Sequence, residues 1–270
     1  MAKNNNFNLS KTILAIMAIS AAINVHAQSA ATGPNSVYIE QIGSSNTITI
    51  EQVGGTNRVG GVAVTTPTAV DGTGVTTLVP AAPSSINYGT VTGSDNTVTV
   101  TQTGNSNSAQ YDIKGNDNAY TSTIIGNSNQ TRLTVGDANN AVNDDNTVTE
   151  TVTGNSNMII QDMIGNNITS STILLGSNNQ VTKELKSSNG TSDIDVTGNS
   201  NIFNIQQVDA AGANGHYLKQ VIAGDFNSIT TQQQGSNDTT VDIRATGSHN
   251  TITVRTSSGI ITNPATAIAR

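Results

Sequence analysis

The sequence predicts an all-β fold, a β-solenoid with two strands per coil of about 22 residues, whose like strands stack as parallel, in-register rungs. Three observations predict it. Twelve times a glycine is followed three residues later by an asparagine, and in long stretches these turns recur every eleven residues. The spaced glycines are Gly43 and Gly54, then Gly93, Gly104, Gly115 and Gly126, then Gly154, Gly165 and Gly176, then Gly224 and Gly235, of which Gly165 and Gly235 keep the spacing with a degenerate turn in place of Gly-x-x-Asn. A fixed short period marks a repeat architecture. Eleven residues are too few for a helical hairpin and fit a strand of about seven residues, rising ~3.3 Å per residue, plus a four-residue turn. Second, apolar and polar residues alternate between the turns, the pattern of a strand with one buried face. Third, the chain is 34% hydrophobic and 3% aromatic, with no Trp and no Cys. A globular domain of this length builds a thick apolar core. A thin solenoid needs only a few buried aliphatics per rung, because its backbone hydrogen bonds run between rungs. The ordered alternation decides against a disordered polar chain.

Taken in chain order, residues 1–27 read as a secretory signal. Lys3 and Lys11 flank a polar start, Thr12 to Val25 is an apolar run, and Val25-His26-Ala27 ends in a small residue, with cleavage after Ala27. The run is too short to span a bilayer as a helix, and no second apolar stretch follows, so no membrane span is expected. Cleavage would remove two lysines and no acid, shifting the formal net charge from −7 to −9. An acidic chain without basic clusters argues against nucleic acid.

A short segment, 28–34, precedes a solenoid over 35–258. Its first strand opens at Asn35 with Val37, Ile39 and Gln41 inward; the second opens at Asn46 with Ile48, Ile50 and Gln52 inward. A stretch at about 58–84, rich in Gly, Pro, Thr and Ala and including Pro67, Pro80 and Pro83, lacks the period and should loop out. The register returns from Asn96 (Val98, Val100, Gln102) and Asn201 (Phe203, Ile205, Gln207), and again from Asn227 (Ile229, Thr231, Gln233) and Asn250 (Ile252, Val254, Thr256). Other strands carry aliphatics in place of the glutamine: Ile113, Ile124, Val135, Val152, Met163, Leu174 and Val196. The unit at Gly136 to Asp145 is shortened and hard to phase, and 209–215 form a smaller insertion. Glu150 and Lys183 fall on the inward register, and Asp242 sits where the spacing stretches to twelve. A buried unpaired charge is costly, so bulges or a different register are expected there. Residues 259–270 form a tail.

In each turn, glycine supplies a positive φ at no steric cost. The asparagine at the fourth position can cap the turn and, stacked on its equivalents, form a hydrogen-bonded amide ladder; glutamine at the strand end can do the same from inside. The turn and ladder positions are Asn35, Gly43, Asn46, Gly54, Asn57, Asn96, Gly104, Asn107, Gly154, Asn157, Asn201, Asn227 and Asn250. The inward amides are Gln41, Gln52, Gln102, Gln207 and Gln233.

The unit Asn-x-aliphatic-x-aliphatic-x-Gln-x-Gly-x-x-Asn resembles the curlin repeat of curli fibre subunits. The best match is Asn35 to Asn57, where Asn35, Gln41, Gly43, Asn46 and Gln52 fill the motif's places; Asn96, Gln102, Gly104 and Asn107 fill them in a later rung. Elsewhere many glutamine positions are aliphatic, and the 58–84 insertion has no counterpart in the family. The resemblance implies an exported structural subunit. It would leave through an outer-membrane secretion pore and polymerise, with other curlin-like subunits, into extracellular amyloid fibres serving biofilm and adhesion. Independently of the family, a solenoid ends in open strand edges, each a row of unpaired N–H and C=O groups. End-to-end growth is therefore expected, with the Asn35–Val53 rung as a docking edge.

Other functions find little support. No Ser-His-Asp order, metal-spaced cluster or phosphate loop is present, so no enzyme and no cofactor is expected. His26 lies in the leader, and His216 and His249 sit at or beside turns as polar substitutions. Turn aspartates (Asp95, Asp117, Asp137, Asp225) supply one acid per turn, too few for a calcium shell of about 6–8 oxygens. The alternative is a monomeric solenoid binding ice or polysaccharide through outward threonines: Thr47/Thr49, Thr97/Thr99/Thr101, Thr147/Thr149/Thr151 and Thr251/Thr253. Such a face needs threonine on consecutive rungs, and the neighbouring strands are expected to interrupt it with Gln110/Asp112, Arg132 and Ile160/Asp162. Threonine is also favoured on the solvent face of any strand.

Overall fold

Alternating aliphatic and small polar residues fold as strands throughout the described part of the chain. The computed structural model describes residues 22–29, 33–61, 66–67, 78–79, 88–136, 143–186, 191–208, 217–234 and 240–255. The amino-terminal strands are β1 (Ala22–Ser29), β2 (Ser36–Val37), β3 (Ile39–Ile42), β4 (Thr47–Gly54), β5 (Arg58–Val59), β6 (Thr66–Pro67), β7 (Leu78–Val79) and β8 (Gly89–Thr92). Next come β9 (Thr97–Thr103), β10 (Ser108–Lys114), β11 (Ala119–Ile125), β12 (Gln130–Val135), β13 (Thr147–Thr153), β14 (Met158–Ile164), β15 (Thr169–Leu175) and β16 (Gln180–Lys186). The last are β17 (Thr191–Thr197), β18 (Ile202–Val208), β19 (Tyr217–Ala223), β20 (Ser228–Gln234), β21 (Thr240–Thr246) and β22 (Thr251–Arg255).

From β9 onward successive strands alternate between two parallel sheets, and β6 and β7 form a separate antiparallel pair. Sheet I runs β1-β4-β9-β11-β13-β15-β17-β19-β21, and sheet II runs β2-β5-β10-β12-β14-β16-β18-β20-β22, with β3 and β8 completing its first rungs. Each pair of turns returns the chain to the same sheet one rung on, which makes a two-sided β-solenoid with 22 residues per regular coil, as in the offset from Asn96 to Asn118. The inward side chains of the two sheets meet in a narrow core. Ile48, Ile50, Val98, Val100, Ile113, Ile124, Met163 and Leu174 are fully buried there.

The offsets between stacked asparagines locate the insertions, the smallest being the single extra residue between Asn227 and Asn250. From Asn46 to Asn96 the offset is 50 rather than 22, an excess of 28 residues, which is the length of 61–88. That insertion does not separate two rungs. It interrupts a single strand, whose first half β5 pairs with β2 and the start of β10, and whose second half β8 pairs with β3 and the end of β10. Arg58 and Val59 therefore belong to the sheet, and the loop starts later than the 58–84 expectation. From Asn118 to Asn146 the offset is 28, an excess of six. The unit after Gly136 is thus lengthened, not shortened, because residues 137–142 are inserted into an otherwise regular turn. The excess between Asn201 and Asn227 is four, in the expected 209–215 region, which lies outside the described residues, as does most of the tail.

Register is kept at the charged positions too. Glu150 aligns with Thr172, and Lys183 with Gln161, without a bulge. Asp242 points outward, between the buried Val241 and Ile243 and beside Arg244 at 3.7 Å. Ahead of Asn35 the stack gains one strand: β1 pairs with β4 from Ala22↔Thr47 to Ser29↔Gly54. Sheet I therefore begins within the stretch that the sequence assigns to a leader and a short connecting segment.

Candidate functional site

Among the described residues the corners of the coil carry a glycine, or Asn143 in one case, and two residues later a non-glycine residue with positive φ. Gly43 has φ of +123° and Ser45 has +58°; Gly104 has +118° and Ser106 has +59°. Two needs make the glycine obligatory. Its φ is one that side chains resist, and a Cβ on Gly43 would lie 1.8 Å from the carbonyl oxygen of Gly93 on the next rung. The same holds for Gly154, whose Cβ would meet the Gly176 oxygen at 1.8 Å, and for Gly54 against Gly104 at 1.9 Å. Glycine stacks on glycine along most of the corner, with Asn143 taking the place above Gly115, because a Cβ at these glycines would strike the next rung's carbonyl. The second positive-φ residue has no residue-type signature, since Ser, Thr, Asp, Asn, Phe226 and His249 all occupy it.

The asparagine closing each turn is buried and fixes this corner. Asn46 Nδ2 donates to the Gly93 carbonyl at 2.8 Å. Its Oδ1 accepts the backbone N–H of Asn96 at 2.9 Å and Nδ2 of Asn96 at 3.1 Å. One ladder of this kind climbs Asn46, Asn96, Asn118 and Asn146, and ends where Asn146 Oδ1 accepts the backbone N–H of Ile168, the degenerate turn at Gly165. The other corner carries an unbroken ladder through Asn35, Asn57, Asn107, Asn129, Asn157, Asn179, Asn201, Asn227 and Asn250. In both, each Oδ1 accepts from the rung that follows, so the ladders are polar along the stack. A second, exposed ladder at the residue after glycine runs through Asn105, Asn127 and Asn155. The sequence reading missed it because Asn, Ser and Asp share that position.

The inward glutamines behave less uniformly. Gln52 Nε2 donates to Gln102 Oε1 at 2.8 Å in the core, and Gln102 Nε2 donates to the Arg58 carbonyl at 3.1 Å. Gln41 does not join a ladder: its register partner is Val91, and neither atom of its amide has a partner. Gln207 and Gln233 are aligned by backbone register; their side chains lie outside the described residues.

Where Glu150 and Lys183 enter the core, a polar network replaces aliphatic packing and parts the buried apolar residues into two clusters. Tyr120 Oη donates to Glu150 Oε2 at 2.7 Å, and Gln161 Nε2 donates to Glu150 Oε1 at 2.6 Å. Ser170 Oγ donates to Gln161 Oε1 at 2.7 Å, and Lys183 Nζ donates to Ser170 Oγ at 3.0 Å and to the Ser171 carbonyl at 2.9 Å. Burial pushes the Glu150 carboxyl above its usual range and the Lys183 ammonium down to about 7, each opposed in part by the other's charge. Both residues are fully enclosed, so no substrate reaches them and the network acts on the fold.

Among the described residues no group of three His, Cys, Asp or Glu side chains could hold a metal ion, and no helix is long and apolar enough to cross a membrane. His249 stacks on Phe226 of the preceding rung, ring centroids 5.2 Å apart, at the exposed corner. His216 and Asp137 lie outside the described residues.

A family model described as the curlin associated repeat matches residues 33–54. No curated protein and no solved structure matches the chain. The matched residues are the turn and strands in which Gly43, Asn46 and Gln52 set the corner and ladder geometry described above, and the chain thus carries a curlin repeat at the start of a solenoid whose later coils reuse the same corner.

Proposed function

We propose that this protein is an exported structural subunit that polymerises end to end into curli-like extracellular fibres, serving matrix cohesion and adhesion. The observation that supports it most is the unbroken asparagine ladder from Asn35 to Asn250, whose polarity never reverses. A stack in which every rung accepts the next by the same bonds has no internal stop, and Asn250 Oδ1 is the acceptor that a following rung would use. Backbone hydrogen bonds contribute ~0.5–1.5 kcal/mol net each. Two strands' worth is of the order of the ~4–15 kcal/mol that association costs. Export by a cleaved leader ending at Ala27 and passage through an outer-membrane pore, alongside other curlin-like subunits, belong to the same reading.

The test is assembly of purified chain. Aged samples should bind thioflavin and give a meridional fibre reflection near ~4.7–4.8 Å. A chain that stays monomeric at high concentration for weeks, with or without seeds, would overturn the proposal.

A further inference from the structure

The outward threonines do stack. Gln110, Asp112, Arg132, Ile160 and Asp162, expected from sequence to interrupt them, all belong to sheet II, whereas the strands of Thr47/Thr49, Thr97/Thr99/Thr101 and Thr147/Thr149/Thr151 lie in sheet I; Thr251/Thr253, on β22, lie apart in sheet II. On β9, β11 and β13 every outward position is threonine except Ala119 and Ile125. Thr99, Thr121 and Thr149 are register partners in one column, and Thr101, Thr123 and Thr151 in the next. The flanking strands extend the array through Thr47 and Thr49 on β4 and Thr169 on β15. The columns end at Glu51 on β4 and at Ser171, Ile173 and Leu175 on β15. The chain carries a formal net charge of −7, yet this patch holds no charged group.

Two properties of the array follow from the backbone. Hydroxyl and methyl groups repeat at ~4.8 Å from rung to rung and ~6.6 Å along each strand. β-Branched side chains on a strand have little χ1 freedom, so the array is stiff before anything binds. A rigid, uncharged, two-dimensional lattice of hydroxyls and methyls on the scale of the oxygen spacings in crystalline water orders a water layer that an ice plane can share. A sugar chain would be expected to meet aromatic rings, and the outward positions of β9, β11 and β13 carry none.

We infer that the threonine face of sheet I, centred on β9, β11 and β13, binds ice. This surface lies along the side of the stack, so binding is separable from growth at its ends.

The experiment uses freshly purified full-length chain and measures thermal hysteresis and partition of labelled protein into a growing ice hemisphere. Wild type should show hysteresis and enter the ice. Thr121→Tyr with Thr149→Tyr should lower the hysteresis several-fold with an unchanged circular dichroism spectrum. Thr121→Val with Thr149→Val, which keeps shape, should lower it less, and Gln130→Tyr on sheet II should leave it unchanged. All variants should form fibres as wild type does, so failure here is distinct from failure of the fibre proposal. Absence of hysteresis and of ice partition in wild type would overturn the inference. So would retention on insoluble cellulose or chitin without ice activity, which would make the face a polysaccharide surface. A face-to-face dimer abolished by the tyrosine pair, again without ice activity, would overturn it in favour of a second copy.

Discussion

At the scale of single residues, two kinds of buried polar group do different work. The ladder asparagines satisfy donor and acceptor at every rung, so burying them costs little and fixes the corner. Lys183 and Glu150 are held by few partners and their ionised forms are disfavoured. The signs oppose each other. The folded chain binds the Lys183 proton more weakly than the unfolded chain does, so between about 7, the folded value, and 10.5, the ordinary one, stability climbs with pH. The folded chain holds the Glu150 proton more tightly, so its contribution falls as pH rises from the ordinary carboxyl range. Asp193 adds a charge that favours protonated Lys183. Tyr111 and Tyr120, both raised by burial, oppose the climb once tyrosine titrates in the unfolded chain near 10. Unfolding free energies of freshly prepared chain, from urea titration, should therefore rise from pH 7 to pH 9.5, by up to about 1.4 kcal/mol per unit. Lys183→Met should flatten that rise. A variant profile parallel to wild type would mean that Lys183 keeps its proton in the fold.

At the scale of strands and turns, the corner is conserved along the stack while its spacers vary, because the next rung reads only the backbone and the ladder amide. The 61–88 insertion shows this most sharply. Ser36 and Val37 pair with Arg58 and Val59, Ile39 pairs with Gly89, and Gly60 alone spans the position opposite Tyr38. Joining Gly60 directly to Gly89 should therefore restore a 22-residue coil without moving a core side chain. The deleted chain is expected to fold with the same circular dichroism and an unfolding free energy, from urea titration, within about 1 kcal/mol of wild type, since loop length costs only slowly growing entropy. Loss of cooperative unfolding would show that the loop supports the strand it interrupts. Much of this was legible in sequence: period two placed Ile48, Val98 and Phe203 in the core, and the eleven-residue turn placed Asn57 and Asn107 in a ladder. What was not legible has physical causes. The partner of a strand lies 22 residues away or more, so the eye sets β10 beside β9, although the fold puts them on opposite sheets. That error hid the threonine columns. Lys183 reads in sequence as a bulge or a change of register because its partners, Ser170 and Ser171, come from the facing sheet and share no local pattern with it.

At the scale of the whole molecule, the two ends differ. Among the described residues the Asn35–Asn250 ladder leaves the Asn250 acceptor at the carboxyl end, whereas at the amino end β1 covers the edge of β4 along Thr47 to Gly54. Cleavage after Ala27, as the sequence suggests, would leave only Gln28 and Ser29 of that strand. The β4 edge would then carry its unpaired N–H and C=O groups into solvent, and an exposed edge of alternating aliphatics recruits another strand. The full-length chain should accordingly nucleate more slowly than a chain beginning at Gln28. In parallel thioflavin time courses at equal concentration, the shorter chain is expected to show a lag several-fold shorter. Adding seeds should narrow the difference only if growth proceeds from the carboxyl end, because that end is identical in both. Equal unseeded lags would show that β1 does not guard the edge, and would move the limiting step to the carboxyl terminus.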